Sequence, residues 1–128
     1  MTAAQDFQHQ YFDMLMQSQH WPEQMMAEYQ RGQLEQLLRH ARATVPFYED
    51  RLKPVVKRDG SVDLDRWTEI PILKRSELSR FGNALMSREP VAGHGPWGEI
   101  STSGSTGDPV ALRITRLMDL PRATSWAG

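Results

Sequence analysis

The stretch Ser101–Val110, STSGSTGDPV, decides how this chain folds on paper. It packs five hydroxyls, two glycines and one proline into ten residues. Ile100 precedes it, and VALRIT follows, with Val110, Leu112 and Ile114 alternating against Ala111, Arg113 and Thr115. A period of two is the signature of a strand with one apolar face. WGEIST and PVALRIT are therefore predicted as two strands, and the hydroxyl-rich run as the loop of a β-hairpin over residues 97–115. Pro109 pushes Asp108 toward an extended conformation, from which a strand can start.

Such a loop suits a polyphosphate. Glycine lets the backbone approach closely enough for its N–H groups to donate, and Ser and Thr hydroxyls rotate to meet an anion. It is not a Walker loop, because Gly107 is followed by Asp-Pro and a strand, with no Lys-Ser/Thr and no helix. A third glycine and a following helix are missing, so it is no dinucleotide fingerprint either. The bland alternative is a flexible Ser/Gly loop with no ligand.

Upstream, the spacing is helical. Gln5–Gln19 carries Phe7, Tyr11, Phe12, Met14, Leu15 and Met16 on a broad apolar face. A second helix is expected from Pro22, in its first turn, to Thr44. Its buried stripe is read as Met26, Tyr29, Leu34, Leu37, Leu38 and Ala41. Arg31, Glu35 and Arg39 can pair along another face, and Pro46 ends the helix. PFYEDRLK reads as a helical turn with Phe47 and Tyr48 inward, and Asp59-Gly60 as a turn. A short helix capped by Asp63 precedes an extended Pro71–Leu73, and KRSELSRF is a helix closed by Gly82. The tail after Thr115 reads as weakly helical, interrupted by Pro121. The expected fold class is α+β: a helical region over 5–81, then the hairpin over 97–115.

Composition excludes more than it selects. A net charge of −1 gives no bulk attraction to nucleic acid or to an anionic membrane, and neither is expected as a partner. With no cysteine, disulfides, thiolate metal sites and a cysteine nucleophile are excluded. His9, His20, His40 and His94 have no metal-ligand spacing among them, so no metal site is expected. Met1–Asp13 lacks the features of a signal peptide, and no apolar run reaches spanning length. The default compartment is the cytoplasm.

TSGSTGDPV, together with QLEQLLRHARATVPFYEDRL (33–52) and WTEIPILKRSEL (67–78), resembles the adenylate-forming (AMP-binding) superfamily in its phenylacetate–CoA ligase-like branch. The resemblance covers roughly Met26–Thr115. It implies that Thr102, Ser103, Gly104, Ser105, Thr106 and Gly107 cradle the β- and γ-phosphates of ATP. Many relatives have lysine where this chain has Val110, though often not in this branch. The implied reaction joins a small carboxylic acid to ATP as acyl-adenylate, with release of pyrophosphate, and passes the acyl group to a thiol, usually coenzyme A. Mg2+ would supply most of the positive charge, since the loop has no lysine, and Asp108 would point away from the phosphates.

The family's adenine-binding, ribose-binding and catalytic-lysine motifs are not found within these 128 residues. The chain thus resembles the first third of such a ligase, an incomplete AMP-binding domain with no catalytic residue of its own. It is expected to be inactive alone and prone to self-association. Two rival readings are a non-catalytic helical interaction module and a small stand-alone nucleotide-binding protein.

Overall fold

The computed structural model describes residues 3–89, 93–102, 107 and 109–118. Helices come first: α1 (Ala3–Ser18), α2 (Glu23–Thr44), α3 (Pro46–Arg51) and α4 (Arg75–Phe81). The antiparallel strands β1 (Trp97–Ser101) and β2 (Ala111–Thr115) follow. The α+β class and the order of helices before hairpin are as the sequence predicts.

Helix α1 turns into α2 through a short bend. Pro22 is the residue before the helix, with ψ 148°, rather than part of its first turn, and Glu23 starts the helix. There the carboxylate meets the positive end of the helix dipole. Trp21 packs edge-on against Tyr29 at 5.3 Å, and the Tyr29 hydroxyl reaches Met14 Sδ at 3.3 Å. Tyr29 therefore serves the α1–α2 contact and is partly exposed, not part of the central stripe.

The core lies where the C-terminal half of α2 meets the chain after α3. Leu38, Leu52, Val55 and Val56 are buried, with Leu34, Ala41, Tyr48, Val62, Leu64 and Ile70 packed against them. Leu34, Leu38 and Ala41 share one helical face. Leu37 does not join them: it is 61% exposed, at the rim of an apolar groove bordered by Trp67 and Ile72. A 100° step separates neighbouring side chains on a helix, so Leu38 takes the centre and Leu37 the edge.

Val45 breaks the helix as the residue before Pro46, and Pro46 opens α3 in the first position, where its missing N–H costs nothing. Beyond α3, Val56 and Val62 form a bridge around the Asp59-Gly60 turn, where Gly60 has φ 83°. The Asp63 carboxylate accepts from the Asp65 N–H and caps the next segment. That segment, Leu64–Glu69, is a 3₁₀ helix. Its i→i+3 pattern brings Arg66 to Glu69, paired at 2.6 Å. Residues 71–74 belong to no helix or strand, and Ile70 and Lys74 at either end of this link are extended. Helix α4 is closed by Gly82 at φ 20°, and the chain continues in a 3₁₀ turn to Leu85.

Phe47 packs on Phe81 at 5.2 Å, and Arg51 pairs with Glu77, so α3 and α4 are joined by both apolar and ionic contact. The hairpin meets the helical layer mainly through a cleft beside α4 and is otherwise lightly held.

Candidate functional site

The register of the hairpin sets the geometry of its loop. Trp97 faces Thr115, Ile100 faces Leu112 and Ser101 faces Ala111. Residues sharing a face alternate, so Ile100, Leu112 and Ile114 fall on one side, as their pattern predicts. One further pair closes the loop. The Thr102 N–H donates to the Val110 carbonyl, and the Val110 N–H donates to Thr102 Oγ1, both at 3.0 Å.

That pair defines what Thr102 can do. Its hydroxyl oxygen is engaged as an acceptor, which orients the side chain and leaves the hydroxyl proton to donate. Thr102 is thus a hinge post of the loop as well as a candidate phosphate donor. Gly107 is exposed on the opposite arm. Ser103, Gly104, Ser105 and Thr106, the centre of the candidate cradle, lie outside the described residues, as does Asp108. The interruption of the tail at Pro121 also lies outside them.

A residue that local sequence reading does not select stands beside the loop. The Arg75 guanidinium flanks Gly107, with Nε and Nη2 each 3.8 Å from the position a Cβ would occupy there. Arg75 opens α4, far upstream in sequence, and no motif spacing links it to the loop. It changes the electrostatic reading: a fixed cation adjoins a loop that carries no lysine. Behind the loop, Val110 and Leu112 face Leu78, Asn83 and Met86 across a cleft of about 330 Å³.

Perturbed carboxyls do not gather here. Asp50 is held below the usual carboxylate range by hydrogen bonding and charge from Lys53, Asp59 by hydrogen bonds from Ser61, and Glu69 by Arg66. None of the three lines the hairpin cleft. Among the described residues, no group of three His, Cys, Asp or Glu side chains is arranged to hold a metal ion. His40 is engaged by Thr44 and Ser87 hydroxyls at 3.3 and 3.5 Å. No helix among the described residues is long and apolar enough to cross a membrane.

No family model matches the chain, and neither a curated protein nor a solved structure does.

Proposed function

We propose that the loop at residues 101–110 holds the β- and γ-phosphates of ATP for an adenylate-forming acid–thiol ligase of the phenylacetate–CoA ligase-like kind, of which this chain supplies the N-terminal part. The observation that carries the reading is the hydroxyl- and glycine-rich run Thr102–Gly107 set between paired strands, with the Arg75 guanidinium against Gly107.

The donor set suits the ligand. Backbone N–H groups and hydroxyls donate to phosphate oxygens, and Arg75 adds a planar, permanently charged donor. When bound, ATP would bring Mg2+, which neutralises the phosphates and eases departure of pyrophosphate. The chain's own part is to hold the leaving group in line and to stabilise its growing charge. Thr102 would donate through its hydroxyl proton, and Arg75 through its guanidinium. Coenzyme A is the expected thiol acceptor, and a small carboxylic acid the substrate.

The test is titration of the 128-residue chain with Mg-ATP, followed by ¹⁵N NMR. Expected are shifts at Thr102 and Gly107 and in the Arg75 side chain, weakened by R75Q. Unchanged spectra around the loop at millimolar Mg-ATP would overturn the reading and favour the helical interaction module, whose supporting feature is the apolar groove along α2. Carboxylate-dependent ATP–pyrophosphate exchange is expected to be absent from this chain. Its appearance would mean that adenine and catalytic functions reside within these residues.

A further inference from the structure

A second anion site stands on the helical layer. The C-terminal half of α2, the turn after α3 and Arg88 enclose an open cleft of about 500 Å³. Its walls carry five cationic side chains, Arg39, Arg42, Lys57, Arg58 and Arg88, against one carboxylate, Glu49. The whole chain has net charge −1, so this is a local concentration of positive charge and not a reflection of overall basicity.

Three features make it a built site. Two of the guanidiniums are anchored to backbone: Arg39 Nε donates to the Gly60 carbonyl at 2.7 Å, and Arg42 donates to the Val56 carbonyl. A backbone carbonyl does not neutralise a guanidinium, although Arg39 also pairs with Glu35 at 3.1 Å. Next, the Arg88 N–H donates to the Thr44 carbonyl at 2.8 Å, which pins residue 88 at the end of α2 and brings a distant cation to the cleft. Finally, the cations outnumber the acids beside them. Glu35 pairs with Arg31 and Arg39, and Asp59, which accepts from the Ser61 N–H and hydroxyl at 2.9 and 2.7 Å, keeps its charge and feels that of Lys57. Lys57, Arg58 and Arg88 form no ion pair with any described carboxylate within 4.0 Å. Like charges held together repel one another, and a multivalent anion relieves that repulsion. Guanidinium groups favour phosphate because their paired N–H donors match two oxygens at once.

We propose that this cleft binds a soluble polyphosphate group, the chemistry shared by inorganic polyphosphate and by nucleotide phosphates. The site is separate from the hairpin loop and does not rest on the reading of that loop.

The experiment uses the full chain and two probes, inorganic tripolyphosphate and ATP, each followed by ¹⁵N NMR and calorimetry. Tripolyphosphate should shift the amides of Lys57, Arg58, Gly60 and Arg88. The double variant R58Q/R88Q should weaken its binding at least tenfold while leaving the circular dichroism spectrum unchanged, since both side chains are exposed. R75Q, at the hairpin loop, should leave those shifts in place. Equal affinity for the two probes identifies the phosphate chain as the recognised group, and tighter ATP binding at the same amides identifies a nucleotide. Absence of shifts at these four amides, or full retention of them in R58Q/R88Q, overturns the proposal. Loss of Mg-ATP shifts at Thr102 and Gly107 alone would count against the loop reading and leave the cleft intact.

Discussion

Arg51 and Glu77, 26 residues apart in sequence, form an ion pair between α3 and α4 with only 20% and 18% of their side chains exposed. Glu77 also accepts from the Lys74 N–H at 2.8 Å, just ahead of α4. One carboxylate therefore anchors the start of the helix whose first residue, Arg75, lies against the hairpin loop.

Glu77→Ala should loosen α4 without dissolving the main core. The pair is shielded but not fully buried, so a cost of about 1–2 kcal/mol is expected, between the ranges for surface and buried pairs. Urea unfolding gives the cost, and hydrogen exchange locates it. Amides of 75–81 should exchange faster while those of α2 hold. Equal acceleration along both helices would show that the pair stabilises the domain as a whole.

Arg75→Gln should lower Mg-ATP affinity about tenfold, equivalent to roughly 1.4 kcal/mol and in line with loss of a hydrogen bond to a charged group. Arg75→Lys should lose less, because the charge survives while the planar donor pair does not. Mg-ATP titration followed at the Thr102 and Gly107 amides of the three proteins checks the order. Wild-type affinity in Arg75→Gln would remove Arg75 from the site.

Leu52→Ala should destabilise the protein by roughly 2–5 kcal/mol, since Leu52 is 2% exposed in a small core. That is a large share of the roughly 5–15 kcal/mol of an ordinary domain. Leu37→Ala on the same scale should cost no more than about 0.5 kcal/mol, because its side chain is mostly in water. Comparable midpoints for the two variants would contradict the division between core and groove.

Ser61→Ala should raise the Asp59 pKa toward the ordinary carboxylate value, because the Ser61 hydroxyl is the largest cause of its depression. The sign follows from linkage. A carboxyl whose folded pKa is depressed adds stability above its unfolded pKa and loses it as pH falls through the folded pKa. The variant should thus lose its small contribution at a higher pH than wild type. Carbon-detected NMR titration of Asp59 reads this directly, and an unmoved titration would assign the depression to the backbone N–H groups and the charge of Lys57.

The hairpin should drive self-association. Ile100 and Leu112 oppose one another and remain 37% and 48% exposed. The described sheet has two strands, so each has an open edge as well. Sedimentation should show concentration-dependent association, reduced by Leu112→Lys. Monomeric behaviour throughout, with strong exchange protection of 110–114, would show that this face is satisfied within the chain.

Much of this architecture is local and therefore legible in the sequence. The alternation of Val110, Leu112 and Ile114 specifies a strand, Pro46 a helix break, Gly60 and Gly82 a turn and a helix end, and Asp63 a cap. Each acts through its own backbone or that of near neighbours, so no long-range knowledge is needed. Tertiary structure alone decided that Leu38 is buried while Leu37 lines an open groove, since a broad apolar face does not say which side chain meets the next layer. It alone brought Arg75 to Gly107, and Arg88 to Arg39, Arg42 and the turn at Gly60. Those juxtapositions come from how the helices, turns and hairpin close on one another, and long-range closure leaves no periodic trace in the residues that it brings together.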